Sequence, residues 1–273
     1  MSKFNLFQIY YDEATKASLD PDFTPLDNSN SLNASWYEFW PIREYLKSEQ
    51  LDPCSYYGFF SPKFNFKTGL KGRQVLEVLN QHEDADVVLF SPFFENTAYY
   101  LNVFEQASQH HGDFDAISKK SAHHLNLEIN PMNMVMHSLN TVFCNFFVAK
   151  PHFWLEWLSF CEKIYEEAEA NTTDLGQLLN TQVRHDGRPV QNKIFIIERI
   201  ASLLMGAYPN KWIVRSIDPT MSSFGDSVLA NHKETLLQLD ALKMAGATRQ
   251  SPIYTQFFFK LRDDLNKKLR LIT

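Results

Sequence analysis

The run Tyr56-Tyr57-Gly58-Phe59-Phe60-Ser61-Pro62 decides the reading of this chain. Five consecutive aromatic or small residues without polar alternation read as a strand covered on both faces. Ser61-Pro62 ends it, because proline brings no N–H to a ladder. The pattern returns at Val87-Val88-Leu89-Phe90-Ser91-Pro92. Strands buried on both faces belong to parallel sheets with helices on either side. Between the two runs, Leu70–Asn80 carries Val75, Leu76, Val78 and Leu79 as the apolar face of a helix, which completes a strand–helix–strand unit.

Upstream, Phe4–Tyr11 reads as a buried first strand and 18–35 as a loop rich in Pro, Asp, Asn and Ser. Ser35 is placed to cap a helix running to about Ser48, with Glu38 completing a capping box. Downstream, 97–109 is helical and 110–137 irregular or weakly helical. The stretch 141–149 is β-prone, and Pro151 opens an amphipathic helix to about Ala170. Residues 171–190 form a polar loop, Lys193–Ala207 an apolar helix and Trp212–Ile217 a last strand. Two helical patterns follow, Asp226–Ala245 and Ser251–Leu271. The expected architecture is α/β, a mostly parallel sheet flanked by helices over 1–217, with a C-terminal helical extension, 218–273, packed on it.

Composition narrows the chemistry. The 273 residues include nine glycines and no G-x-G, which excludes the dinucleotide fingerprint and the Walker-type phosphate loop. A net charge of -6 argues against sustained binding to nucleic acid. Cys54, Cys144 and Cys161 form no C-x-x-C and read as reduced thiols of a cytoplasmic protein. No apolar run reaches the ~18 residues that suggest a membrane span. His110-His111 and His123-His124 are adjacent pairs whose side chains diverge, so they make no metal motif. Neither H-E-x-x-H nor G-x-S-x-G occurs, and Cys144 sits among apolar residues as packing.

In open parallel sheets, ligands bind beyond the carboxyl ends of the strands. That rule nominates Asp12 and Glu13, then Ser61, Lys63 and Asn65, then Ser91, Glu95 and Asn96, then Lys150 and Asp218. Asp84-Ala85-Asp86 is a D-x-D of the kind that holds Mg²⁺ or Mn²⁺ against a diphosphate, but it precedes its strand and reads as a solvated loop. Glu198-Arg199 lies in a helix apolar almost all round, where it is either a structural ion pair or a tuned base with its orienting partner. From Arg249 onward there are six Lys or Arg and two Asp, a net +4. Such a segment suits an anionic membrane surface, or else covers the domain or a partner subunit.

Four stretches form a set: Trp36-Tyr37-Glu38-Phe39-Trp40-Pro41-Ile42-Arg43, Tyr56 to Phe64, Val142-Phe143-Cys144-Asn145-Phe146-Phe147 with the Trp-rich helix after it, and Lys193 to Leu203. In order and spacing they resemble bacterial glycosyltransferase-like proteins of capsule and O-antigen biosynthesis. The resemblance spans about residues 4–215. It implies a GT-A-like (Rossmann-like) nucleotide-sugar fold and sugar transfer onto a growing glycan, and points to Gly58, Ser61, Lys63, Asn145, Glu198 and Arg199. Relatives carry a His/Arg-rich turn after the glycine. This chain has Phe59-Phe60-Ser61-Pro62-Lys63-Phe64, which leaves Lys63 to meet a phosphate.

Together with the strand-end rule, this makes Glu198, Asp12 and Glu95 candidate bases, and Arg43, Gly58, Ser61, Lys63, Ser91, Asn145 and Arg199 candidate donor-binding residues. The expected partners are a nucleotide-sugar donor and a glycan or lipid-linked glycan acceptor. The candidate metal is Mn²⁺ or Mg²⁺, with no cofactor required by the residues and no ligands assigned. The expected location is cytoplasmic, with peripheral contact at the inner membrane through 251–273. The alternative is a non-catalytic glycan-binding or scaffold protein on the same fold. A hydrolase has no nucleophile motif behind it.

Overall fold

The computed structural model describes residues 3–110, 114–185, 187–219 and 227–270. The expectations that fell on His111, Asp226 and 271–273 lie outside them. The chain begins with β1 (Phe4–Tyr10), α1 (Glu13–Ala17), β2 (Thr24–Asp27), a 3-10 turn at Ala34–Trp36, α2 (Phe39–Ser48) and β3 (Tyr56–Phe60). Next come α3 (Phe64–Thr68), α4 (Gly72–Gln81), β4 (Val87–Leu89), α5 (Phe94–Tyr99), α6 (Val103–His110) and α7 (Phe114–His124). β5 (Phe147–Ala149) leads into α8 (Pro151–Ala170), α9 (Asp174–Asn180) and a hairpin of β6 (Gln182–His185) and β7 (Arg188–Gln191). After α10 (Asn192–Ile197), α11 (Ile200–Ala207) and β8 (Val214–Ser216), three helices finish the chain: α12 (Ser227–Ala230), α13 (Lys233–Arg249) and α14 (Pro252–Arg270).

Six strands form the central sheet in the order β2-β1-β3-β5-β4-β8. The fold is α/β and Rossmann-like in its mostly parallel sheet between helices. β3 is wholly buried, as its sequence requires, and its alternate residues serve two layers. Tyr57 and Phe59 join Phe7, Ile9, Val87 and Leu89 in the larger core, under α2 and α8. Tyr56 and Phe60 join Leu6, Val88 and Phe90 in the smaller core, with Val75 and Leu79 of α4. α8 packs through Trp154, Trp157, Cys161 and Ile164, spaced three and four apart, with Phe153 beside them, and the Trp154 Nε1–H donates to the Tyr57 carbonyl at 2.8 Å.

One strand departs from the parallel order. β5 runs antiparallel to both β3 and β4. Its start, not its end, therefore lies at the carboxyl edge of the parallel strands. Lys150, expected at that edge, instead stands at the opposite one, where its ammonium pairs with Asp86 at 3.1 Å. The Asp84-Ala85-Asp86 loop lies there too. Asp86 accepts from the Ile213 N–H and Asp84 pairs with Arg215, so both carboxylates are engaged in holding β4 beside β8.

Other local expectations are corrected. Ser35 lies inside the 3-10 turn, α2 begins only at Phe39, and Glu38 makes no capping bond. Part of the 18–35 loop is the edge strand β2, where Pro25 is tolerated because one side of the strand has no neighbour. The expected helix over 97–109 is two, α5 and α6, and 171–190 contains a helix and a hairpin. The helix expected over 193–207 breaks at Glu198-Arg199, where the Arg199 N–H donates to Ile196 O in a tightened turn.

The tail helices pack on α5. Leu236, Leu239, Phe258 and Leu265 share a core with Phe94, Ala98 and Leu101. Among the described residues no helix is long and apolar enough to cross a membrane.

Candidate functional site

A cleft of about 900 Å³ opens at the carboxyl edge of β1, β2 and β3. One wall comes from the segments after these strands: Tyr11, Asp12 and Thr15, then Asn28, Ser29 and Ser31, then Ser61, Pro62, Lys63 and Lys67. The hairpin supplies His185, Arg188 and Val190, and α10 supplies Ile194, Phe195 and the following Glu198. A narrower chamber of about 40 Å³ shares Tyr37, Glu38, Ser61, Lys67 and Glu198 with the cleft and adds Cys144 and Asn145. It is the floor of the same hollow. The reversal of β5 puts Cys144 and Asn145 there, since the loop before this strand meets the loops after β3 and β4.

Buried hydrogen bonds hold the wall. Gln8, with 0% exposure, donates to the Ser61 carbonyl at 3.3 Å and to Asn65 Oδ1 at 3.1 Å, and accepts from the Asp20 N–H at 2.8 Å. Asp20 accepts from Asn65 at 2.8 Å and from the Gly72 N–H at 3.0 Å. The turn carrying Ser61, Lys63 and Lys67 is thereby tied to β1 and α4. Ser91 Oγ accepts from the Phe143 N–H at 3.0 Å and anchors the loop that carries Cys144 and Asn145.

The floor holds strained backbone and charge. Tyr37, Cys144 and Asn145 have φ of 46°, 61° and 54°. Left-handed conformations in non-glycine residues cost about 1–3 kcal/mol each and cluster at functional sites. Asn145 is 5% exposed and its Oδ1 accepts no hydrogen bond from the described residues. The Lys67 ammonium donates to Cys144 Sγ at 3.1 Å. Burial raises the Cys144 pKa to about 11 despite Lys67, so the thiol is protonated at neutral pH. Burial also raises Glu198, and the charge of Glu38 adds to it, while Arg199 and Lys67 oppose. Burial raises the Tyr11 phenol, and Glu38 raises it further. Two carboxylates and one ammonium thus share a poorly solvated floor.

The expected site residues divide. Asp12, Ser61, Lys63 and Glu198 line the cleft and Asn145 its floor. Asp12 caps α1, accepting from the Thr15 N–H at 2.7 Å, and that bond keeps its pKa low. Lys63 is exposed at the rim. The remaining five stand elsewhere. Arg43 is paired with Glu162 at 2.5 Å between α2 and α8 and stacks on Tyr165. Gly58 lies mid-strand between β1 and β5, where an added Cβ would meet Val148 Cγ2 at 2.8 Å, so its role is close packing. Ser91 supports the floor loop from behind. Glu95 is buried on α5 away from the cleft. Arg199 points from Glu198 into the core and donates to the carbonyls of Val103 and Phe195 at 3.0 and 2.8 Å.

Glu38, Lys67 and Tyr11 were not among the nominated site residues. A signal for Glu38 was present: one carboxylate among Trp36, Tyr37, Phe39 and Trp40, in a segment bound to be half-buried. Among the described residues no group of three or more His, Cys, Asp or Glu could hold a metal, and the D-x-D carboxylates are engaged at the far edge. No protein-family model matches the chain, and neither a curated protein nor a solved structure shows significant similarity to it.

Proposed function

We propose that this chain is a glycosyltransferase that uses a nucleotide-sugar donor and a glycan acceptor in surface-polysaccharide synthesis, on a GT-A-like variant of its α/β fold. The observation that carries this reading is the cleft itself: a cationic rim of Lys63 and Arg188 over a floor that holds Glu38, Glu198 and the unsatisfied Asn145 Oδ1. A cleft of about 900 Å³ suits a large polar ligand, and its position beyond the parallel strands is where such sheets bind nucleotides.

The chemistry divides accordingly. The acceptor hydroxyl oxygen bonds to the anomeric carbon as the bond from that carbon to the diphosphate oxygen breaks. The leaving diphosphate takes the electron pair, and its charge is met by Lys63 and Arg188. The hydroxyl proton passes to Glu198, whose pKa is raised chiefly by burial, with a smaller contribution from the charge of Glu38. Asn145 Oδ1 accepts from a sugar hydroxyl, and Lys67 balances the floor's negative charge.

A thermal-shift screen of the full chain against uridine, guanosine, cytidine and thymidine diphosphate sugars tests the reading. One nucleotide family is expected to raise the melting temperature, because ligand binding stabilises the folded state by mass action. No response to any of them, with saccharides alone stabilising the protein, would replace the enzyme by a glycan-binding protein on the same fold.

A further inference from the structure

The segment that follows β2 separates the cleft from a second groove of about 440 Å³. Asn28 and Ser31 line both, so the two hollows are neighbours across one thin wall. The groove's far side is formed by Trp40, Pro41 and Tyr45 of α2, and Leu26 of β2 completes its apolar lining. Its polar lining is Asp27, Asn30 and Glu44, together with serines, and it contains no lysine or arginine. Leu32, at 93% exposure, stands on the wall.

We infer that this groove is a binding site for an uncharged or amino-bearing saccharide, the acceptor of the transfer reaction proposed above. The chemistry of the lining selects that class. A pyranose ring presents an apolar face of C–H groups and a polar edge of hydroxyls, and it is recognised by an aromatic face beside amide and carboxylate acceptors. Trp40 supplies the face, and the Arg43 guanidinium stacked on it at 5.1 Å fixes the ring. Asp27 is held ionised chiefly by the Ser29 N–H, which bonds it at 2.8 Å. Among the described residues Glu44 is paired only with the Arg43 already engaged by Glu162. A uronic or sialic acid would bring a carboxylate beside Asp27 and Glu44, and the nearest cation, Arg43, is already held by Glu162 and Glu44. The shared wall at Asn28 and Ser31 places a saccharide in the groove next to whatever occupies the cleft. The relation to the cleft rests on the transferase reading; saccharide binding in the groove does not.

Tryptophan fluorescence of the full chain tests the inference. Trp36, Trp154, Trp157 and Trp212 are buried, so Trp40 alone of the five is partly exposed and reports the groove. Maltotriose, cellotriose and chitotriose are titrated against trigalacturonic acid. At least one neutral or amino-sugar probe is expected to change the emission saturably, and the acidic one is expected to bind at least about tenfold more weakly. Trp40→Phe keeps an aromatic ring, so by calorimetry it is expected to retain affinity within about threefold while losing the emission change. Trp40→Ala is expected to weaken binding at least about tenfold, and the Phe variant keeps the test decisive if the alanine variant does not fold. The inference is overturned if no neutral or amino-sugar probe perturbs Trp40, if trigalacturonic acid binds equally well, or if Trp40→Phe keeps the full signal. Nucleotide-sugar binding is measured on the same samples. Its loss alone would remove the transferase reading and leave the groove, whereas its presence without saccharide binding would do the reverse.

Discussion

Glu198 carries the heaviest load of any single side chain in this account. Its side chain is half-buried, burial raises its pKa, and Glu38 shares its chamber. A raised carboxylate pKa means that folding favours its protonated form. Its contribution to stability is therefore present below the ordinary carboxylate pKa and is lost as pH rises through the raised value. Glu198→Gln removes that loss. The variant is expected to melt above the wild type at neutral pH, while turnover falls about 10²- to 10⁴-fold, as expected when a general base is removed. Unchanged turnover would take Glu198 out of the reaction. Lys63 behaves differently because it is exposed at the rim. Lys63→Ala is expected to lower kcat/KM about tenfold to a hundredfold at constant melting temperature, read from steady-state kinetics beside a thermal scan. Equal kinetics would remove Lys63 from leaving-group stabilisation.

Strands β3 and β4 were legible in the sequence because runs such as Tyr56–Phe60 tolerate no exposed face, and α8 because its apolar spacing and opening proline admit one reading. The direction of β5 was not legible. Three residues, Phe147–Ala149, look alike in either orientation, and only pairing with β3 and β4 decides it. That reversal moves Lys150 to the far edge and brings Cys144, read as packing, to the floor, whereas Asn145 was reached only through the resemblance. Glu38 was misread for a related reason: Ser35 and Glu38 have the spacing of a capping box, but the chain enters α2 through a 3-10 turn and the strained Tyr37. Gly58 was singled out for function, and the structure gives it a packing role between two strands. Gly58→Ala is expected to destabilise the sheet by about 1–3 kcal/mol through overpacking against Val148, measured by chemical denaturation. A neutral substitution would show that β5 can move aside.

Across the whole molecule, the tail is joined to the sheet domain by buried polar contacts as well as by apolar ones. Lys243 on α13 donates to the carbonyls of Thr97 and Tyr100 at the end of α5. Asp240 accepts from the Ser138 N–H and hydroxyl at 2.9 and 2.6 Å. Burial lowers the Lys243 pKa to about 7, against the pull of Asp240 and Glu105. A depressed lysine pKa means that the unfolded chain binds the extra proton between the folded value and the ordinary one, so stability rises with pH across that window. From about pH 7 to about pH 8.5, the wild type is expected to gain up to about 1.4 kcal/mol per pH unit relative to Lys243→Met. Parallel pH profiles of the two proteins would show that Lys243 keeps its charge freely.

The central claim is that the hollow formed by the segments after β1, β2 and β3, closed by the hairpin and by the loop before β5, receives an activated sugar. A crystal structure of the full chain grown with the nucleoside diphosphate that gives the largest thermal shift tests it most directly. The diphosphate is expected between Lys63 and Arg188, with the floor of Glu38, Asn145 and Glu198 open beyond it for the sugar. A diphosphate bound at the opposite edge, by Asp86 and Lys150, or on the tail helices, would contradict it.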